Sequence, residues 1–324
     1  MPPSDPLGTP GRRAFHHQPV LLREVMELLA PASGQLILDG TLGGGGHSEA
    51  MLRAGARVVG LDQDEEALAH AMQRLREFGD QFCAMHGNFR DFPRILSESG
   101  VGPVDAILLD LGVSSYQLDE PTRGFSFQKD GPLDARMNPR VGVSAADLVN
   151  TASAEELERI FREYGEEPRA HRYAQAVVKE RNQQPIHTTL RLASIIEKCA
   201  GHSGGKRHPA TRVFQALRMA VNDEMGALAD VLRMAPKYLK PGGRLAIITF
   251  HSLEDRLVKQ TLRHFSQPLL DRPEWPEPRP NPDFQLRLLT RRSIAPSEEE
   301  VRHNPRSRSA RLRGAERLTS HVPY

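Results

Sequence analysis

The stretch Leu36-Ile-Leu-Asp-Gly-Thr-Leu-Gly-Gly-Gly-Gly-His-Ser48 is typical of a short apolar strand that ends in Asp39, a glycine turn and the start of a helix. In an open parallel sheet, such a turn lies at the carboxyl end of the first strand, where ligands bind. Consecutive glycines leave a floor without side chains, and the N–H groups at the helix start point into the same space. The stretch therefore predicts an α/β fold with a ligand pocket at this turn. A glycine-rich surface turn without a ligand is the plainer alternative.

The residues around the glycines exclude two common ligands of such turns. The third glycine of a dinucleotide fingerprint, G-x-G-x-x-G, would fall on Ser48 or Glu49, and no Lys-Ser/Thr pair follows as in a phosphate-binding P-loop. Asp39 would also repel a pyrophosphate. A cationic ligand that offers hydroxyls and an amino group suits this environment better, and S-adenosylmethionine is such a ligand.

Length and composition indicate a soluble globular protein. The 324 residues suffice for one large domain or two moderate ones, and 39% are hydrophobic and 26% charged. No apolar run approaches the roughly 20 residues that cross a bilayer, so we expect no membrane contact. Residues 1–15 are predicted to be a disordered leader rather than a signal peptide. Two cysteines are compatible with the reducing cytoplasm, which is the expected location.

Basic residues are concentrated near the carboxyl end. Residues 285–318 hold nine arginines and four glutamates, a net charge of +5 against +2 for the whole chain. Such a stretch favours a polyanion partner, with a solvated basic face as the alternative. A second basic group, Lys206-Arg207-His208, lies in a Gly-rich joint. We expect both to contact phosphates if the partner is a nucleic acid.

Strands and helices alternate through the first third of the chain. Apolar runs predict four strands, at residues 35–39, 57–61, 82–86 and 104–109. This alternation predicts a doubly wound parallel sheet. Asp39, Asp62 and Asp110 each stand at the end of one of the strands, and right-handed crossovers bring these strand ends to one edge.

The alternation stops near residue 118, and no convincing strand is predicted before residue 208. A capping box at Ser153 with Glu156 opens one of several helices, which together predict a helical insertion. Pro209 begins a helix that is predicted to run to Tyr238, and a fifth strand follows it. Two tail segments, Leu286–Thr290 and Ala310–Arg313, are predicted to pair as an antiparallel edge.

Four side chains near the strand ends are candidates for ligand contacts. Asp62 follows Asp39 by 23 residues, a spacing at which an acid accepts hydrogen bonds from ribose hydroxyls. Phe89 can pack on an adenine ring, Asp110 can hold an amino group or a reacting nitrogen, and His47 follows the glycines. An ordinary capping, core or solvated residue is the alternative at each position.

Hydrolase and metal chemistry find little support. His251-Ser-Leu-Glu-Asp-Arg256 follows the fifth strand and offers a His and a Ser, but the chain has no G-x-S-x-G elbow. It also has neither H-E-x-x-H nor a paired C-x-x-C, and we expect no structural metal.

Several separate strings, taken in order, resemble the MraW family of bacterial ribosomal RNA small subunit methyltransferases H. They are Asp39-Gly-Thr-Leu-Gly-Gly-Gly-Gly-His-Ser48, Leu108-Leu-Asp-Leu-Gly-Val-Ser-Ser115, Arg123-Gly-Phe-Ser-Phe127, Asp130-Gly-Pro-Leu-Asp134, Tyr164-Gly-Glu-Glu167, His208-Pro-Ala-Thr-Arg212, Phe250-His-Ser-Leu-Glu-Asp-Arg256 and Asn304-Pro-Arg306. Each string is short, but the ordered set is specific, and the resemblance runs from about His16 to Arg317.

The resemblance implies a class I methyltransferase (Rossmann-like) domain at residues 16–117 and 209–324, with an inserted, mainly helical substrate-recognition domain at 118–208. It implies S-adenosylmethionine-dependent methylation of the N4 amine of a decoding-site cytidine in 16S ribosomal RNA, with the small ribosomal subunit as partner. The oligomeric state stays open, a dimer included. The cofactor-binding positions that it implies are Gly45, Gly46, His47, Asp62, Phe89, Asp110 and Gln117.

Cytosine's exocyclic amine is a poor nucleophile because its lone pair is delocalised into the ring, so the site must orient it. Asp110 is the candidate catalytic residue. DNA amino-methyltransferases carry Asp/Asn-Pro-Pro-aromatic at this place, whereas this chain has Asp110-Leu-Gly-Val-Ser114. A stacking aromatic for the extruded base must come from elsewhere, with Phe125 and Phe127 as candidates.

The sequence is also compatible with two other functions. One is an RNA-binding ribosome-assembly factor without transfer activity. The other is a methyltransferase that acts on DNA or on a small molecule.

Overall fold

The structure, a computed structural model, describes residues 19–201 and 208–319. Its strands are β1 Leu36–Asp39, β2 Arg57–Asp62, β3 Phe82–His86, β4 Val104–Asp110, β5 Leu239–Thr249, β6 Leu269–Leu270, β7 Arg279–Pro280, β8 Leu286–Leu288 and β9 Arg311–Arg317. Seven of them form one sheet in the order β3-β2-β1-β4-β5-β9-β8, while β6 and β7 pair separately. Neighbouring strands from β1 to β5 are parallel, and β9 runs antiparallel to both β5 and β8.

Helices cover both faces of this sheet, and others pack in an insertion between β4 and β5. Their bounds are α1 Leu22–Leu29, α2 Gly46–Arg53, α3 Glu65–Leu75, α4 Phe92–Glu98, α5 Ser115–Asp119, α6 Ala145–Thr151, α7 Ala154–Glu163, α8 Ala170–Arg181, α9 Thr189–Ala200, α10 Ala210–Val221, α11 Glu224–Tyr238, α12 Ser252–Phe265 and α13 Glu298–His303. No helix in the described part of the chain is long and apolar enough to cross a membrane.

The central strands β1, β2, β4 and β5 carry apolar residues on both sides where both sides are buried. Successive side chains of a strand point to opposite faces. Ile37 packs in one core with α1, α2 and α3, whereas its neighbour Leu38 packs in the other core with α4, α11 and α12. This arrangement confirms the predicted doubly wound α/β sheet of the class I methyltransferase type.

The strand register brings the three acids to one edge. Asp39 stands opposite Gly60 of β2 and Leu108 of β4, two residues before Asp62 and Asp110 respectively. The glycine turn, β2 and β4 therefore end on the same side of the sheet, as the sequence predicted.

The tail strands also pair as predicted, and they close the sheet edge beside β5. Leu286–Leu288 and Arg311–Arg317 form adjacent antiparallel strands, and the second is longer than the segment predicted. The interior positions Leu286, Leu312 and Ala315 are fully buried, which explains why these two short segments join the sheet rather than remain loops.

The prediction of a single helix from Pro209 to Tyr238 is wrong, because the chain turns between α10 and α11. Asp223 adopts a left-handed backbone with φ of 45°. Asn222 donates from Nδ2 to Ala135 O and accepts at Oδ1 from the Met137 N–H. These bonds to a distant loop stabilise the break, and no local pattern of apolar residues reveals them.

Helices α6 to α9 form the insertion around a core of their own. Tyr173 and Phe161 are among its largest fully buried side chains. Val213, Phe214 and Leu217 of α10 belong to the same core, so its packing continues past the predicted boundary at residue 208. The predicted leader at 1–15, together with Lys206 and Arg207, lies outside the described residues.

Candidate functional site

A cavity of about 320 Å³ opens at the carboxyl ends of β1, β2, β4 and β5. Six of the seven predicted cofactor positions line it, namely Gly46, His47, Asp62, Phe89, Asp110 and Gln117. Gly45 is not among the lining residues. The structure thus brings residues from four separate parts of the chain to one space.

The glycine turn has a left-handed backbone at two positions. Gly43 has φ of 50° and Gly45 has φ of 76°, a region that favours glycine. A Cβ on Gly45 would lie 3.0 Å from Leu75 Cδ1, and one on Gly46 would lie 3.2 Å from two atoms of the Pro19 ring. Gly45 therefore lets the turn pack closely against α3, while its neighbours Gly44 and Gly46 face the cavity.

Asp62 ties the glycine turn to the end of β2. Its Oδ2 accepts from the Gly43 N–H at 2.8 Å, and its Oδ1 accepts from the Asp64 N–H at 2.9 Å. Burial raises the pKa of Asp62 to about 6, against the lowering effect of these bonds. A carboxylate oxygen has further lone pairs, so Asp62 can still accept hydrogen bonds from a ligand.

Asp110 combines burial with an unused hydrogen-bond acceptor. Its Oδ1 has no hydrogen-bond partner among the described residues, and its Oδ2 lies 3.6 Å from His47 Nδ1. Burial, followed by the neighbouring charges of Asp39 and Glu254, raises its pKa well above the ordinary value. The Asp110 N–H donates to Thr41 Oγ1 at 2.6 Å, which anchors this strand end to the glycine turn.

His47 is held from its other side. Its Nε2 lies 2.9 Å from Val20 O, and because a carbonyl can only accept, this nitrogen is the donor. The ring is 6% exposed, so its position between Val20 and Asp110 is set by packing as well as by hydrogen bonding.

Gln117 belongs to a buried network that borders the cavity. It forms a reciprocal capping box with Ser114 and donates from Nε2 to Asp64 Oδ2 at 2.8 Å. Arg123 donates to the same Asp64 oxygen at 2.7 Å and also to Met137 O at 2.9 Å. The network connects the cofactor side of the cavity with the loop that leads into the insertion.

Phe125 and Phe127 do not line the cavity. Phe125 is buried in the insertion core, and Phe127 packs against Phe214 with ring centroids 4.8 Å apart. Besides Phe89, the ring of Phe250 lines the cavity. Phe250 opens the string of residues 250–256, which contributes to the family resemblance but in which no ligand contact was predicted.

Three charged residues that were not predicted from the sequence form a wall of the cavity. Arg218, Glu224 and Glu254 come from α10, α11 and α12. Possible metal-ligand atoms of Glu224, His251 and Glu254 lie within 4.8 Å of one another. Both carboxylate oxygens of Glu224 are bound by Arg218, however, and this cation disfavours a metal ion in the group.

The cavity fits S-adenosylmethionine by the chemistry of its side chains. The carboxylate of Asp62 suits ribose hydroxyls, the ring of Phe89 suits adenine, and the backbone of Gly44 and Gly46 leaves room for an extended ligand. Asp110 adds a buried acceptor, and the acids at this sheet edge favour a cationic sulfonium.

The chain is similar to known proteins over nearly its whole length. A sequence model described as the MraW methylase family matches residues 14–318. The ribosomal RNA small subunit methyltransferase H of Thermomicrobium roseum is 51% identical over 317 residues, which cover 97% of this chain and 95% of that protein. The protein of the same name from Carboxydothermus hydrogenoformans is 50% identical over 307 residues, covering 94% and 99% respectively. This chain therefore belongs to the MraW methylase family.

Proposed function

We propose that this protein transfers a methyl group from S-adenosylmethionine to the N4 amine of a decoding-site cytidine in 16S ribosomal RNA, with the small ribosomal subunit as its partner. Asp110 carries the proposal. Its buried Oδ1, which accepts no hydrogen bond from the described residues, favours a ligand that donates one. The amine of cytosine is such a donor. The relatives named above are ribosomal RNA methyltransferases, which supports RNA as the acceptor.

S-adenosylmethionine supplies an electrophilic methyl group on a sulfonium sulfur. In this proposal Asp62 accepts hydrogen bonds from the ribose hydroxyls and Phe89 packs on the adenine. Gly46 and His47 border the same space, and Gln117 fixes the opposite wall through Asp64. Gly45 supports the turn from behind rather than lining the cavity. Catalysis then consists mostly of positioning.

Asp110 accepts a hydrogen bond from one N4–H, which orients the amine and favours a more tetrahedral nitrogen. N4 forms its bond to the methyl carbon as that carbon leaves the sulfur, and the electron pair of the broken bond stays on sulfur. N4 then carries a positive charge until it releases one proton. Asp110 takes this proton, and its raised pKa makes it a stronger base than an ordinary aspartate.

Asp110→Asn tests the catalytic role. We expect methyl transfer at saturating cofactor to fall by roughly 10²- to 10⁴-fold, the usual contribution of a general base. Transfer of a labelled methyl group measures the rate, and calorimetry measures cofactor affinity separately. Asp105→Asn is the matched control, because Asp105 lies near the opposite end of β4, bound to Lys240 and to the Leu36 N–H. Near-normal transfer by Asp110→Asn would remove Asp110 from catalysis.

The acceptor is tested by offering small ribosomal subunits, free 16S ribosomal RNA and DNA to the enzyme and mapping the label. We expect label on N4 of one cytidine, with subunits as the best substrate. Label on DNA would support the rival methyltransferase function. Cofactor binding with no transfer to any of the three would support the assembly factor.

A further inference from the structure

The cavity is also lined by side chains that none of the proposed cofactor contacts uses. We propose that this part of the cavity is the subsite for the target cytosine, in which Phe250 stacks on the base and Arg218 donates to its N3 and O2 atoms. This inference rests on the proposed function and names the residues that select its substrate. Arg218, Phe250, Glu254 and Asp110 all line the one cavity.

Arg218 is held in a defined orientation. It forms a two-point ion pair with Glu224, in which Nε and Nη2 lie 2.7 and 2.8 Å from the two carboxylate oxygens. The side chains are only 15% and 11% exposed. This pair occupies one edge of the planar guanidinium. The Nη1 hydrogens and the second Nη2 hydrogen form another edge, which can make two parallel hydrogen bonds.

Glu254 is fixed beside this ion pair. Its side chain is 3% exposed, its Oε2 accepts from the Phe250 N–H at 2.9 Å, and its Oε1 lies 3.0 Å from His251 Nε2. Burial disfavours the charge of Glu254, but His251, the Phe250 N–H and Arg218 outweigh it and lower its pKa. Despite burial, Glu224 and, to a smaller extent, the ionised Glu254 hold the pKa of Arg218 above its ordinary value. The cation therefore persists in a site mostly closed to water.

Phe250 offers a ring to the same space. A Cβ on Gly112 would lie 3.1 Å from Phe250 Cδ2, so backbone without a side chain borders the ring there. Stacking on an aromatic ring is a common way to hold a base outside its helix. In this proposal Phe250 takes the base-stacking role for which Phe125 and Phe127 were the candidates from sequence.

The cavity holds the kinds of hydrogen-bonding group that cytosine requires. Its Watson–Crick edge presents one donor, N4–H, followed by two acceptors, N3 and O2. Asp110 is the complementary acceptor, and the free edge of Arg218 supplies two parallel donors. Uracil presents O4 as an acceptor and N3–H as a donor, so it would leave both Asp110 and Arg218 mismatched. The cavity therefore carries the hydrogen-bonding pattern of guanine, the natural partner of cytosine.

An RNA with 3-deazacytidine at the target position tests this directly, since the analogue keeps the N4 amine but lacks the N3 acceptor. We expect the kcat/KM of the wild-type enzyme to fall about tenfold on this RNA, in line with the loss of one good base contact. Arg218→Gln is expected to be slow on normal RNA but to show little further loss on the analogue. Wild type and variant are measured on the same two RNAs, so a change in the intrinsic reactivity of the amine affects both enzymes equally.

Arg218→Lys keeps the charge next to Glu224, so it is less prone to a folding defect than Arg218→Gln. It should likewise show little further fall in kcat/KM when the RNA lacks the N3 acceptor. Phe250→Leu should raise KM for RNA more than it lowers kcat. Unchanged cofactor affinity reports that each variant is folded. Arg233→Lys is the control, because Arg233 lies on α11 with 70% of its side chain exposed, and it should behave as wild type on both RNAs.

The base subsite and the proposed function are contradicted by different results. An Arg218→Lys variant that loses as much activity on the analogue as wild type does would overturn the base subsite and leave the proposed function intact. A wild-type enzyme that places no label on cytidine N4 of normal RNA would overturn the proposed function itself.

Discussion

Two acids at the sheet edge have similar pKa values but different surroundings. Burial raises the pKa of both Asp39 and Asp62 to about 6. Asp39 accepts from Ser48 Oγ at 2.7 Å and from the Thr41 N–H, so it holds the glycine turn and α2 in place. Asp62 faces the cavity, where ligand hydroxyls can add hydrogen bonds that favour its ionised form. The same kind of residue thus serves structure at one position and, in our proposal, binding at the other.

The raised pKa of Asp62 predicts pH-dependent cofactor affinity. Ribose hydroxyls donate more strongly to the ionised carboxylate than to the protonated one, so affinity should fall as pH drops below about 6, by up to about tenfold per pH unit. In the cofactor-free protein, the contribution of Asp62 to folding stability has the opposite pH dependence. The folded state holds the proton more tightly than the unfolded chain, so Asp62 contributes less stability as pH rises from about 4 to about 6.

Isothermal titration calorimetry from pH 5 to 8 checks this prediction for the wild type and Asp62→Asn. The variant should bind more weakly at pH 8 and show a shallower pH dependence, because Asp39 and Asp110 still titrate. An equally steep dependence in the variant would show that Asp62 is not the group responsible.

At the scale of elements, the turn between α7 and α8 connects the insertion to two other helices. A Cβ on Gly165 would lie 2.7 Å from both Arg212 O and Phe161 O, so α10 packs directly on its backbone. The next residue, Glu166, has a left-handed φ of 47° and accepts hydrogen bonds from Ser252 Oγ at the start of α12 and from Arg212 at its carbonyl. One turn therefore fixes the insertion against both α10 and α12.

Gly165→Ala should lower the free energy of unfolding by about 1–3 kcal/mol, because the added methyl group meets backbone atoms that cannot rotate away. Urea unfolding followed by circular dichroism measures the change. Gly102→Ala is the matched control, since a Cβ there would meet nothing within 4 Å and its φ is ordinary, and we expect a change within about 0.5 kcal/mol. Equal stabilities of the two variants would contradict the close packing of this turn.

At the scale of the whole molecule, the basic tail divides into structural and exposed arginines. Arg313 is buried and donates to both carboxylate oxygens of Asp255, and Arg287 pairs with Glu316 within the sheet edge. Arg306 pairs with Asp119 at the rim of the cavity. Four others are exposed and form no ion pair with any residue that the structure describes, namely Arg291, Arg292, Arg302 and Arg308. The predicted polyanion surface is therefore smaller than the count of charges indicated.

Replacing these four exposed arginines by alanine should weaken RNA binding and reduce its salt dependence. Each lost contact with a single-stranded phosphate lowers the slope of log affinity against log salt by about 0.7. Filter binding from 50 to 300 mM KCl measures the slope, and cofactor affinity should stay unchanged. Alanine at Arg53, Arg94 and Arg233, exposed arginines on α2, α4 and α11, provides a comparison set. A slope no lower than that of the comparison set would remove the tail from the RNA interface.

The sequence by itself determined the elements whose signals are local. The apolar run before Asp39, the glycines of the turn and the helix cap at Ser153 depend on neighbours a few residues away, and so does the alternation that predicted the sheet. Only the tertiary structure decided which side chains share the cavity with Asp110. Arg218, Phe250 and Glu254 reach it because α10 to α12 pack across the sheet, and the break at Asn222 depends on a loop more than 80 residues away. Such contacts join segments that are distant in the chain, and the sequence pattern around each residue carries no record of its partner.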